Sequence, residues 1–135
     1  MSNPIPFPVN ARLTIVVVDG HLTNRMIYAR VAESLSGLIQ VHTFGAAFEA
    51  LRWLGTQSAD LVVTASTMAD LNGIEFLKVL RKQPLNTKMS ALVITSDRDA
   101  RLCERMLSAG ATAVLHSPIR ASELQTHFRR LLLIR

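Results

Sequence analysis

Three short, mainly apolar runs without regular alternation of polar residues limit this 135-residue chain to a narrow class of folds. The runs are LTIVVV at residues 13–18, DLVVTA at 60–65 and MSALVIT at 89–95. A strand with one face in water alternates apolar and polar residues, whereas a strand covered on both faces of a parallel sheet does not. These segments therefore predict the buried strands of a parallel sheet.

Amphipathic helical segments alternate with these strands and with two further strand segments, at residues 38–44 and 112–117. In the first helical segment, Ile27, Val31 and Leu35 recur at the spacing of one helix face, which predicts that all three point to the core. Five strand–helix pairs in strict order predict an α/β doubly wound fold, with right-handed crossovers and helices on both faces of the sheet. The helices are predicted at residues 22–36, 46–55, 73–82, 98–109 and 120–134.

Length and composition predict one domain. With 49% hydrophobic residues the chain can form one core, and no linker divides it. The segment MSNPIPFPVN has prolines in alternate positions, so residues 1–11 are predicted to form an extended arm and residues 12–135 the domain. No apolar run is long enough to span a membrane and the N-terminus lacks a signal peptide, which predicts a cytoplasmic protein.

The net charge of +5 raises the question of nucleic-acid binding. The basic residues are spread over several helices, often with acids nearby, and they form no basic run with interleaved aromatic residues. This distribution is typical of a solvated surface, and we expect no DNA or RNA partner.

Polar side chains follow the predicted strands where each strand ends. Ligands of doubly wound folds bind outside the carboxyl ends of the strands, so these side chains are the candidate site. No pair among them is placed as an acid and a base, which argues against an enzyme. The candidate groups are Asp19, His21, Ser66, Thr67, Thr95, Ser96, His116 and Ser117.

The order of these motifs resembles a known signalling family. DLVVTASTMADLNGIEFLKVLR is similar to the third strand, loop and third helix of response-regulator receiver domains, GATAVLHSPI to their fifth strand, and VVVDGHLTNR to their opening. The resemblance covers residues 12–134. It implies a flavodoxin-like sheet of five parallel strands in the order 2-1-3-4-5.

Receivers carry five polar positions, and only two of these are kept. The resemblance assigns Asp19 to the first of two acids that hold Mg²⁺, but the second position is Gly20. The aspartate that accepts the phosphoryl group corresponds to Ala65. The hydroxyl after strand 4 is kept as Thr95, and the lysine after strand 5 is replaced by Ser117.

Each departure from the receiver motif predicts the loss of one part of the phosphoryl-transfer chemistry. Alanine has no oxygen to attack a phosphoryl donor, and Asp19 alone is a poor ligand set for Mg²⁺, which needs several hard oxygens. Without a lysine, no fixed cation offsets the phosphoryl charge. The resemblance therefore implies a pseudo-receiver: a phosphorylation-independent signal-transduction module, not an enzyme, with no metal or cofactor. The open alternative is an atypical phosphoswitch or small-molecule sensor that controls a fused output domain.

The C-terminal segment FRRLLLIR predicts where such a module meets its partner. One core-facing stripe cannot cover four consecutive apolar residues, so we expect Leu132, Leu133 and Ile134 to form an interface. The partner is either a second copy, through helix 4, strand 5 and helix 5 as in receivers, or another protein or a fused output domain. The ending also resembles receivers fused to HD-GYP-type cyclic-dinucleotide phosphodiesterases.

Overall fold

The computed structural model describes residues 12–133, in which strands and helices alternate from the first strand to the last helix. Each of the five strands and five α-helices lies within a few residues of its predicted span, and α3 matches its span at both ends. The predicted extended arm, residues 1–11, lies outside the described residues. The elements are β1 Leu13–Val18, α1 Leu22–Glu33, β2 Ile39–Phe44, α2 Ala47–Leu54, β3 Leu61–Ala65, α3 Gly73–Lys82, a 3-10 turn Pro84–Asn86, β4 Ser90–Thr95, α4 Ala100–Ala109, β5 Ala113–His116 and α5 Ala121–Leu133.

The strands form one parallel sheet in the order β2-β1-β3-β4-β5, as the receiver resemblance implied. β1 lies between β2 and β3, with Ile15 opposite Val41 on one side and opposite Leu61 on the other. Because all pairs are parallel, β1, β3, β4 and β5 end at the same edge of the sheet. The residues that follow these strands are thereby brought together.

Helices cover both faces of the sheet, and the side chains of the central strands divide between them. On β1, Val16 and Val18 pack with residues of α2, α3 and α4, whereas Ile15 and Val17 pack with residues of α1 and α5. All four of these side chains are fully buried. This explains why the strand runs lack alternation, since neither face meets water.

The predicted core face of α1 is wrong at its first position. Val31 and Leu35 are buried, but 50% of Ile27 is exposed. The buried stripe runs through Tyr28, Val31, Ala32 and Leu35, at the i, i+3, i+4, i+7 spacing of a helix face. Ile27 precedes Tyr28 by one residue, which turns it away from that stripe.

The predicted interface at the end of α5 needs a similar correction. Leu132 is only 2% exposed and belongs to the core with Leu124, Phe128 and Leu131. It therefore cannot offer a contact surface while the domain is folded. Leu133 is 43% exposed and remains available, and Ile134 lies outside the described residues.

Arg81 joins α3 to the end of α4. Its guanidinium donates hydrogen bonds to the carbonyls of Gly110 at 2.6 and 3.0 Å, Asn86 at 2.9 Å and Met89 at 2.6 Å. Partial burial lowers the pKa of Arg81. Gly110 ends α4 with a φ of 119°, and a Cβ on it would lie 2.7 Å from Cγ of Arg81. Only glycine accommodates both this backbone and the arginine stem.

Measured by length and apolar content, the helices of residues 12–133 all fall short of what a membrane span requires.

We expect the two adjacent leucines of α5 to respond differently to truncation. Leu132→Ala leaves a cavity in the core and should lower the free energy of unfolding by about 2–5 kcal/mol. Leu133→Ala is the matched control and should cost about 0.5 kcal/mol, since its side chain is 43% exposed. Chemical denaturation of both variants measures this difference, and equal losses would contradict the assignment of Leu132 to the core.

Candidate functional site

The common edge of β1, β3, β4 and β5 opens into a small polar cavity. Its volume is about 230 Å³, and Asp19, Ala65, Thr95 and Ser117 all line it. Four of the five residues predicted from the receiver motif are thus brought together. Gly20 is exposed and does not line the cavity, and outside the adjacent residues no heavy atom lies within 4 Å of the position a Cβ would take there.

Asp19 holds the loop between β1 and α1. It is only 3% exposed. Oδ1 accepts a hydrogen bond from the backbone N–H of His21 at 2.8 Å, and Oδ2 accepts one from the side-chain amide of Asn24 at 3.2 Å. The guanidinium of Arg25 donates to its backbone carbonyl at 2.7 Å. Burial, and secondarily the charge of Asp19, raise the pKa of the Tyr28 phenol in the same cavity.

The residues around the cavity do not fit Mg²⁺. That ion requires near-octahedral coordination by hard oxygens, usually with one or two carboxylates. Asp19 supplies the one carboxylate among the described lining residues, and both of its oxygens already accept hydrogen bonds. Gly20 and Ala65 supply no side-chain ligand. Nowhere in residues 12–133 are three or more His, Cys, Asp or Glu side chains grouped to hold a metal ion.

A hydroxyl bridge connects the ends of β3 and β4. Oγ of Ser66 and Oγ1 of Thr95 lie 2.8 Å apart, and either hydroxyl can donate. Thr95 is buried, and its Oγ1 also accepts from the backbone N–H of Asp97 at 3.0 Å. The Thr95 hydroxyl is therefore satisfied by its neighbours, and the Ser66 hydroxyl is paired with a second hydroxyl, which is not a base.

Ser117 continues the sheet beyond β5. Its backbone N–H donates to the carbonyl of Thr95 at 2.9 Å, which places residue 117 at the cavity wall. The peptide bond from Ser117 to Pro118 is cis. Neither lysine nor arginine is found among the described residues that line the cavity.

The loop between β3 and α3 folds back on itself. The N–H of Gly73 donates to the carbonyl of Ser66 at 2.8 Å, and a Cβ at Gly73 would lie 2.9 Å from that oxygen. Glycine is needed here for this close approach. Asn72 caps α3, since its Oδ1 accepts from the N–H of Glu75 at 2.9 Å. Asn72 and Gly73 thus form the turn and the start of α3, which begins at residue 73 as predicted.

Asp70 in this loop has a role that the sequence reasoning missed. Its two carboxylate oxygens accept hydrogen bonds from the N–H groups of Ala47 and Phe48, each at 2.9 Å. Asp70 therefore caps the N-terminus of α2, and these two bonds lower the pKa of its carboxyl group. One signal could have indicated it: Ala46, at the N-cap of α2, has no side chain able to cap.

Comparison with known proteins identifies a family and several relatives. A family model described as the response regulator receiver domain matches residues 15–129. The cyclic di-GMP phosphodiesterase response regulator RpfG of Xanthomonas campestris pv. campestris is 31% identical over 123 residues, which are 91% of this chain and 32% of that protein. The sensor protein EvgS of Escherichia coli is 30% identical over 130 residues, 96% of this chain and 10% of that protein. The chain thus spans about a third of one relative and a tenth of the other.

Solved structures share the fold. The chemotaxis response regulator CheY4 of Vibrio cholerae superposes with a TM-score of 0.82 at 21% identity, over 90% of this chain and 99% of that one. The receiver domain of the Francisella response regulator 1452 gives a TM-score of 0.79 at 23% identity, over 89% and 96% of the two chains. Because these identities are below 25%, the similarity to the two solved structures supports the fold alone.

We expect Asp70→Ala to destabilise the domain in a pH-dependent manner. Loss of the cap should cost about 1 kcal/mol at neutral pH. The folded-state pKa of Asp70 lies below its ordinary value of 3.8. Its contribution is therefore fully present above that value and is lost as the pH falls through the folded-state pKa.

Denaturation of wild type and Asp70→Ala at several pH values measures this effect. The difference between their free energies of unfolding should become smaller at acidic pH. Glu104→Ala, which removes an exposed carboxylate from α4, is the control and should show little change. Equal stabilities of wild type and Asp70→Ala at neutral pH would contradict the capping role.

Proposed function

The chain belongs to the response regulator receiver domain family, and we propose that it is a degenerate member that signals by binding another protein and accepts no phosphoryl group. The observation that carries this proposal is the residue at the end of β3. Ala65 lies at the cavity that Asp19, Thr95 and Ser117 also line, and it presents a methyl group there. An acylphosphate requires a carboxylate oxygen at the nucleophile position, and a methyl group cannot form one.

Two further features of the cavity support the proposal. Phosphoryl transfer concentrates negative charge, which metal ions and fixed cations normally offset. Here Asp19 is committed to the loop that follows it, and residue 117 is a serine. The cavity therefore combines one buried carboxylate with hydroxyl groups, a setting that opposes the approach of a phosphoryl donor.

The neighbouring hydroxyls are poor substitutes for the missing aspartate. A serine or threonine attacks only when an adjacent base removes its proton. Ser66 is paired with Thr95, and Thr64 is bonded to the carbonyl of Ala65 at 3.0 Å and lies 3.7 Å from the sulfur of Met68. These partners are not bases.

Binding to another protein then becomes the means of signalling. Exposed apolar side chains on α4 and α5, Leu107 at 46% and Leu133 at 43%, support a contact surface on the side formed by α4, β5 and α5. The occupant is a second copy, a separate protein or a fused output domain. The similarity to RpfG, over 32% of that protein, supports the last of these, with an HD-GYP-type phosphodiesterase as the output. We propose that this signalling by protein binding takes place in the cytoplasm, with no nucleic acid as a direct partner.

The second candidate function is a small-molecule sensor or an atypical phosphoswitch. The cavity itself favours it, because about 230 Å³ lined by hydroxyl groups, an amide and a phenol can accept a small polar ligand. The response of the chain to phosphoryl donors and to Mg²⁺ separates the phosphoswitch from the first proposal.

We expect the intact mass of the chain to stay unchanged after incubation with acetyl phosphate and Mg²⁺. A phosphoryl group would add about 80 Da. The triple variant Gly20→Asp, Ala65→Asp, Ser117→Lys is the positive control, because it returns the two carboxylates and the cation, and there is open space at Gly20. An adduct on the unmodified chain would contradict the proposal and favour the phosphoswitch.

We also expect millimolar Mg²⁺ to leave the melting temperature of the chain unchanged. A specific site at a hundred times its dissociation constant would add about 2.7 kcal/mol to the free energy of unfolding. Differential scanning fluorimetry with and without Mg²⁺ tests this, with the same triple variant as a control that should gain stability. A rise of several degrees for the unmodified chain would count against the loss of metal binding.

A further inference from the structure

We propose that a second cavity, between α3 and α4, binds a small organic monoanion that carries one carboxylate on an apolar body. This α3–α4 cleft has a volume of about 490 Å³, within the usual range for ligand sites. It adjoins the cavity at Asp19, and Ser66, Thr67, Thr95 and Ser96 belong to both walls. The proposal is independent of whether Ala65 abolishes phosphoryl transfer.

Arg105 is the group that selects the charge of the ligand. It lines the cleft from α4 and is exposed, and its guanidinium makes no hydrogen bond or ion pair with any residue in the described range 12–133. Two nearby arginines are engaged: Arg81 binds backbone carbonyls and Arg101 lies 3.7 Å from Asp99. A guanidinium with free donors binds a carboxylate through two parallel hydrogen bonds.

Two acidic residues of the cleft restrict the ligand to one negative charge. Glu75 lies 3.6 Å from Lys78, and Asp97 accepts a hydrogen bond from the N–H of Asp99 at 2.9 Å, so both carboxylates already have partners. They still oppose a multiply charged anion such as phosphate, because like charges at short range repel. A monoanion can therefore bind Arg105 with less repulsion from Glu75 and Asp97 than a multiply charged anion would meet.

Leu102 provides the main apolar contact in the cleft. It is half-buried, whereas Met106 and Ile74, at 1% and 9% exposed, line the cleft but add little surface of their own. A small aromatic or aliphatic body can contact Leu102 while its carboxylate reaches Arg105, which lines the same cleft. This combination favours an aromatic or short aliphatic acid over a wholly polar ligand.

The test is an NMR titration of the full chain with benzoate, alongside its neutral analogue benzamide and inorganic phosphate. We expect saturable shifts with benzoate at the amides of residues 72, 96 and 97, and weaker binding of the other two probes. Arg105→Gln should weaken benzoate binding about tenfold or more. Arg101→Gln, one turn away on α4, is the matched control and should bind as wild type does.

Four outcomes would overturn the proposal. They are the absence of saturable shifts at millimolar benzoate, equal binding of benzamide, equal binding of phosphate, and unchanged affinity in Arg105→Gln. Melting temperatures of both arginine variants verify that they remain folded. Intact mass after acetyl phosphate treatment reports only on the cavity at Asp19. A negative benzoate titration therefore leaves the proposed function standing, and a phosphoryl adduct leaves the proposed ligand site standing.

Discussion

The burial of β1, β3 and β4 on both faces is the constraint on which the rest of the structure depends. Their side chains are divided between two helical layers, and hardly any of this surface reaches water. Polar side chains are therefore tolerated mainly where the strands end, since an unpaired polar group in the core is costly. Parallel pairing brings those ends to one edge. The same requirement that makes the strands apolar thus gathers Asp19, Thr95 and Ser117 at a single cavity.

The parts of the fold that could be predicted are those with signals in neighbouring residues. Apolar runs marked the strands, and the Asn-Gly pair marked the start of α3 at Gly73. The predicted core-facing residues were wrong where the helical periodicity of the sequence is ambiguous. The buried stripe of α1 includes Tyr28 rather than Ile27, and in a run of consecutive leucines at the end of α5 the spacing alone did not show that Leu132 is buried. Packing against the sheet decides such cases, and one sequence does not encode it locally.

In the candidate site, too, some features could be predicted from the sequence and others could not. The positions of Asp19, Ala65, Thr95 and Ser117 followed from the strand ends and the receiver motif, but their hydrogen-bond partners did not. The Ser66–Thr95 bridge and the Asp70 cap join residues 29, 22 and 23 positions apart, so no local pattern announces them. The bridge connects β3 to β4 at the cavity, and the cap connects the loop between β3 and α3 to the start of α2.

The contact between Arg81 and Gly110 has a consequence for how this sequence can diverge. The arginine stem occupies the space that any side chain at residue 110 would need, and its guanidinium donates hydrogen bonds to the backbone carbonyls of three residues. A replacement of the glycine would require a shorter residue at 81, which would remove the hydrogen bonds from the arginine to those carbonyls. Gly110 is therefore expected to persist among descendants of this chain for as long as Arg81 does, and its positive φ opposes replacement even after residue 81 has changed.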